Sequence, residues 1–201
     1  MDDRSGRQYL VDTASAVRYL FEGIDRYEGL VRGLIPPSQA QTTKQVSRYM
    51  AAAETYAGCE FSEATLSGAV LHVAYMGLYL CSQNDVIPGD CAALVRPENK
   101  KAVRFCRGRR IHGIPLGLLV YAGRNQYCHW DDEGFDFPTS QVFNALVAAH
   151  YDDPAFDLAY ELNWPSRTIK AHHVVLNELR WSSYEAYESD MRSALGIEGA
   201  L

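Results

Sequence analysis

The stretch FSEATLSGAVLHVAYMGLYLCS, residues 61–82, is the most apolar in the chain, and its period decides the fold that the rest can join. Ala64, Leu66, Val70, Leu71, Val73, Ala74, Leu78 and Tyr79 recur at the spacing of a helix face, before the turn residues QNDVIPGD at 83–90. Upstream, Leu10, Val11, Ala14, Val17, Leu20, Phe21, Ile24, Leu30 and Val31 predict a helix over 7–33, closed by IPP. A second helix is expected over 42–57. Downstream, the pattern predicts a short helix near 97–106 and a longer one through IPLGLLVYAGRNQYCHW (114–130). Pro115 suits the first turn of that helix, and Gly123 suits a kink. Further helices are expected over 139–150, 166–180 and 183–195, the last two separated by the WSS break. Short runs such as LGLLVYA and AHHVVL also admit a strand. With no internal repeat and no low-complexity tract, the expectation is an all-α fold. Its architecture would be an up-and-down bundle of four to five core helices with extra terminal helices. One domain over 1–201 is expected, with N-terminal helices in 1–58 and the core bundle in 59–201.

A chain of 201 residues, 47% hydrophobic and 22% charged, can bury one sizeable core and has the balance of a soluble globular protein. The opening MDDRSGRQYL is polar and acidic where a secretory leader would be cationic and then apolar. Apolar runs such as GIPLGLLVYAG are too short to cross a bilayer, so no membrane partner and a cytoplasmic location are expected. Cys59, Cys81, Cys91, Cys106 and Cys128 are odd in number, scattered, and contain no Cys-x-x-Cys pair. That spacing points to reduced thiols and against a disulfide frame or a zinc knuckle.

The net charge of −6 conceals an uneven distribution: −4 over residues 1–95, +7 over 96–130 and −9 over 131–201. The basic island consists of Arg96, Lys100, Lys101, Arg104, Arg107, Arg109, Arg110 and Arg124. It reads either as a solvated face that offsets acidic neighbours, or as a surface that tracks a phosphate backbone by displacing counterions. On the second reading Lys100, Lys101, Arg104, Arg107, Arg109, Arg110 and the adjoining His112 are candidate RNA contacts.

Familiar catalytic motifs are missing. The chain has no Gly-x-x-x-x-Gly-Lys loop, no Gly-x-Gly-x-x-Gly and no Gly-x-Ser-x-Gly elbow. His-Glu-x-x-His spacing is absent, and the adjacent His172 and His173 would point about 100° apart on a helix, so no metal and no cofactor are expected. Asp131, Asp132 and Glu133 beside His129 could hold a divalent ion, but they also suit a hydrophilic helix end. What remains is Arg124-Asn125-x-x-x-His129. An imidazole can move the proton of a 2′-hydroxyl or of a leaving oxygen. A guanidinium can grip two phosphate oxygens and stabilise charge that grows in the transition state, and an amide beside them can orient either group.

RNQYCH resembles the Arg-x(4 to 6)-His signature of the HEPN superfamily (higher eukaryotes and prokaryotes nucleotide-binding), including the polar residue, commonly Asn, after the arginine. Arg107 to His112 and Arg167 to His172 share the spacing but carry Gly108 and Thr168 in place of the asparagine. The resemblance covers the motif and the helical character of roughly residues 60–195. It implies a helical bundle that dimerises and a metal-independent endoribonuclease with a composite site at the dimer interface. It also implies a toxin or antiviral-defence setting, with an antitoxin or regulatory protein as a further partner. Arg124 would hold the scissile phosphate, Asn125 would position its neighbours, and His129 would be the acid/base. Some toxins of that family are silenced by nucleotidyl transfer onto a tyrosine two residues past the histidine. Asp131 stands there in this chain, so control by that route is not expected. The alternatives are a catalytically silent helical module that binds a nucleotide or a partner, and a metal hydrolase built on Asp131, Asp132 and His129.

Overall fold

The computed structural model describes residues 3–30, 39, 41–132, 134–151, 162 and 170–197. Among them the fold is all-α, with one two-stranded hairpin. Six α-helices follow in chain order: α1 (Asp3–Glu28), α2 (Thr43–Cys81), α3 (Lys100–Val103), α4 (Leu116–Cys128), α5 (Phe137–Ala149) and α6 (Tyr184–Leu195). The hairpin pairs β1 (Arg110–Ile111) with β2 (Ile114–Pro115), and a π-helix spans His173–Glu178.

The two helices expected over 42–57 and 61–82 form a single rod of 39 residues. Its start is fixed by a capping box: Thr42 accepts from the Gln45 backbone N–H, and the Gln45 side chain returns a bond to the Thr42 backbone. From Gln45 to Ser82 no proline interrupts the chain, and the alanine-rich MAAAE segment is a strong helix former, so Gly58 alone does not end it. The apolar part, Phe61–Cys81, is 21 residues long and by length and composition could span a membrane, contrary to the expectation from run lengths. Half of that segment is buried inside the fold, where Val70, Leu71, Ala74 and Leu78 are part of the core.

Helix α2 is the hub. Tyr9 of α1 donates its hydroxyl to the Val73 carbonyl, and Gly23 meets Leu66, so α1 runs antiparallel to α2. Gly68 lies under the Tyr127 ring and Gly123 meets Leu71, so α4 runs antiparallel on another side. Helix α6 lies antiparallel to α1, since Gly6 meets Leu195 and Ile197 while Phe21 meets Tyr187, and Arg18 reaches along it to stack on Tyr184. This alternation of direction agrees with the up-and-down arrangement. The shared interior holds Leu10, Phe105, Leu118, Phe143, Trp181 and Tyr187.

Several local expectations change. Helix α4 begins at Leu116, because Ile114 and Pro115 form the second strand of the hairpin. Gly123 is no kink but a close-packing point: a Cβ there would lie 2.9 Å from Leu71 and 3.1 Å from Val174. LGLLVYA and AHHVVL are both helical, the latter passing into the π-helix. The helix expected over 166–180 falls partly outside the described residues. All five cysteines are free thiols.

Candidate functional site

The site grows from α4, whose buried residues Leu118, Val120 and Ala122 anchor it so that Arg124 reaches Tyr75 of α2 and Asn125 reaches Thr139 of α5. The Arg124 guanidinium lies over the Tyr75 ring of α2, 4.9 Å from its centroid, and Nη1 donates to Asn125 Oδ1 at 3.2 Å. Its Nε is buried with no hydrogen-bond partner. No described carboxylate comes within ion-pair distance of it, so neither Asp131 nor Asp132 neutralises this cation. Asn125 is held in turn by α5, where its Nδ2 donates to Thr139 Oγ1 at 3.2 Å. Asp136 caps α5 by accepting from the Thr139 backbone N–H, and it also accepts from the Tyr121 hydroxyl.

These neighbours feel the cation. Burial pushes the Tyr75 hydroxyl above its ordinary range, with Arg124 opposing the shift. His72, one helical turn before Tyr75, is held below its ordinary value by partial burial and by repulsion from Arg124. Burial and the Asp136 carboxylate together raise the Tyr121 hydroxyl.

His129 sits elsewhere. It is the C-cap of α4, with its backbone N–H bonded to the Asn125 carbonyl at 3.0 Å, and its φ of −129° takes it off the helix. Its Nδ1 lies 2.9 Å from Asp132 Oδ2, and both side chains are open to solvent, at 51% and 55% exposure. No hydrogen bond joins His129 to Arg124. Five residues along a helix separate two side chains by about 140°, and the arginine is half-buried on one side while the imidazole stands at the rim. Trp130 beside it is also exposed.

The basic island divides. Arg109 grips Asp190 with Nε and Nη2 and donates to the Leu179 carbonyl, which ties the hairpin to α6. Arg110 pairs with Asp90 at 2.7 Å, and Arg104 donates to the Tyr79 carbonyl. Arg96 lies 3.8 Å over the Phe137 ring. Arg107 packs near Gly196, and His112 faces the buried Glu178. Lys100 and Lys101 are exposed on α3 and carry no ion pair among the described residues. The offset-by-acids reading therefore describes Arg109 and Arg110, while the two lysines keep a free cationic face.

His72, Tyr75, Thr139 and Asp136 were not legible as site residues. His72 is the one imidazole within the apolar run VLHVAY, and that interruption was the only signal. Comparison with protein-family models, with curated proteins and with solved structures finds no match to this chain.

Proposed function

We propose that this chain is an endoribonuclease that needs no metal for cleavage, with Arg124, Asn125 and His129 as its working groups. One observation carries the reading. Arg124 is a half-buried guanidinium with no counter-ion among the described residues and with a buried, unpartnered Nε, held in place by an amide and an aromatic ring. A cation withdrawn from water without a carboxylate is costly, and an anion that arrives to complete its bonds recovers that cost. A phosphodiester matches the planar fork with two oxygens.

The imidazole would act from the rim. With Asp132 fixing Nδ1, the Nε2 of His129 is left to face a substrate, and it can take the 2′-hydroxyl proton or protonate the leaving 5′-oxygen. Attack of that hydroxyl on phosphorus gives a 2′,3′-cyclic phosphate and a free 5′-hydroxyl. Because Arg124 and His129 diverge within one chain, the resemblance to HEPN ribonucleases supplies the remaining element: a second copy that brings its own motif to the same crevice. Exposed Trp130 offers a stacking face for an unpaired base. A toxin or defence role, with an antitoxin or activator as partner, follows from the resemblance.

The test is cleavage of single-stranded RNA by purified protein in excess EDTA. Wild type should give cyclic-phosphate ends, while Arg124→Ala and His129→Ala should each lose about 100-fold or more of the rate. Two inactive variants mixed together should recover part of the activity if the crevice is shared between copies. Wild-type protein that binds RNA without cutting it would mark a binding module instead, and activity abolished by EDTA while circular dichroism shows the fold intact would mark a metal hydrolase.

A further inference from the structure

At the opposite end of α5 from Thr139, three segments distant in sequence converge. His112 comes from the turn between β1 and β2, His150 caps the C-terminus of α5, and Glu178 ends the π-helix. His150 Nε2 lies 3.0 Å from Glu178 Oε1, and His112 Nε2 lies 3.3 Å from Glu178 Oε2. The two imidazole rings meet edge to face with centroids 4.8 Å apart. One donor atom from each residue falls within 4.8 Å of the others. We propose that His112, His150 and Glu178 form a binding site for a divalent transition-metal ion of the zinc class.

The donor set and its geometry favour this ion. Two neutral imidazoles and one carboxylate are a common zinc ligand set, and they suit zinc, cobalt or iron better than magnesium or calcium, which prefer oxygen donors. Ligand distances of about 2.0–2.2 Å in a tetrahedron put donor atoms roughly 3.3–3.6 Å apart. The two distances to Glu178 lie near that edge but run to its two different oxygens, and the three donor atoms lie within 4.8 Å of one another, so closure requires the imidazoles to swing inward. The Glu178 side chain is 1% exposed, His150 17% and His112 39%, so the carboxylate forms the floor and the ion enters past His112. A fourth position on the solvent side is left for water.

Backbone conformation points the same way. His112 and Gly113 occupy a two-residue turn with φ of 50° and 79°, a conformation that favours Asn or Asp before Gly. Histidine in the left-handed region stores strain, of the kind that clusters where a side chain is needed in one place. Glu178 belongs to a π-helical turn, a form also common at functional positions. Eleven residues of helix separate Thr139 from His150, or about 16 Å, so the ion would not touch the Arg124 crevice. Its role would be to pin the hairpin, α5 and the π-helix together.

Binding is tested on the full-length protein, stripped with chelator and dialysed, by calorimetry with Zn²⁺ and by the visible spectrum with Co²⁺. Wild type should take up one Zn²⁺ per chain, melt at higher temperature with it, and give the intense d–d bands of four-coordinate cobalt. His150→Ala and Glu178→Gln should weaken binding by more than the roughly 10- to 100-fold that even an outer-shell substitution costs. Since a buried change at 178 can also unfold the chain, His112→Asn is the decisive variant. Asparagine suits that turn, so the protein should melt no lower than wild type in chelator yet lose its response to zinc. Absence of zinc uptake by wild type, or uptake unchanged in both His112→Asn and His150→Ala, overturns the proposal. These readouts do not involve RNA, so the outcome is independent of the cleavage assay.

Discussion

Arg124 acts on its surroundings by charge as well as by direct contact. The partial burial of His72, and after it the field of Arg124, hold that imidazole below the ordinary histidine value, and the Coulomb part of the shift disappears with the guanidinium. Arg124→Gln should therefore raise the His72 pKa, a change that NMR titration of the imidazole would detect, while the protein stays folded. A His72 that titrates identically in both proteins would mean that the two groups do not sense each other across α2 and α4. Lysine at 124 should not restore function, since an ammonium lacks the planar fork and stacks poorly on Tyr75. At this scale the sequence was partly readable. The Arg-Asn-x-x-x-His spacing singles out the groups proposed to work on a phosphate, but it contains no trace of Tyr75 or Thr139, because those reach Arg124 and Asn125 only through helix packing.

Among the elements, close approach of α2 and α4 depends on Gly68, where a Cβ would collide with the Tyr127 ring. Alanine there gains about 1 kcal/mol in helix propensity, whereas overpacking costs about 1–3 kcal/mol, so the net change is a loss of up to about 2 kcal/mol. Urea denaturation of Gly68→Ala would measure it. The π-helix contributes sensitivity to acid. Burial, with His172 and Lys170 nearby, holds His173 down to about 3 from an ordinary 6.5. A base with a depressed folded value takes up its proton more readily when unfolded, so stability is full above about pH 6.5 and is lost as pH falls toward 3. The slope is at most about 1.4 kcal/mol per pH unit, and thermal melts across that window should show it, whereas His173→Gln should flatten the curve. Helix α2 shows where sequence pattern fails as a guide: the helices expected over 42–57 and 61–82 leave a gap at 58–60, but a single glycine with no proline beside it does not end the rod. The mixed strand and helix signals of AHHVVL resolve as a π-helix, a form that neither a period of two nor one of 3.6 describes.

For the whole molecule, charge sorting decides how a polyanion would approach. With Arg109 and Arg110 held by Asp190 and Asp90, the open cations of the basic island are chiefly Lys100 and Lys101. Reversal of both to glutamate should weaken single-stranded RNA binding and flatten its dependence on log salt by about 0.7 for each phosphate no longer neutralised, with the melting temperature little changed. Arg109→Ala should do the opposite: it should lower stability by about 1–2 kcal/mol, as the bonds to Leu179 and Asp190 disappear, and leave the salt slope nearly intact. The His112, His150 and Glu178 cluster lay beyond reach of sequence reasoning for a topological reason, since 38 and 28 residues separate its members and no spacing rule spans such gaps. The long helix α2 carries a consequence of its own. About 58 Å of rod begins with a stretch, 43–62, in which no described side chain is buried, and ends in a stretch that forms the core. Deuterium should therefore replace amide protons quickly along the first half, held chiefly by local propensity and its Thr42 cap. Along the second half it should enter only as fast as the entire chain unfolds, so that one unbroken helix shows two lifetimes.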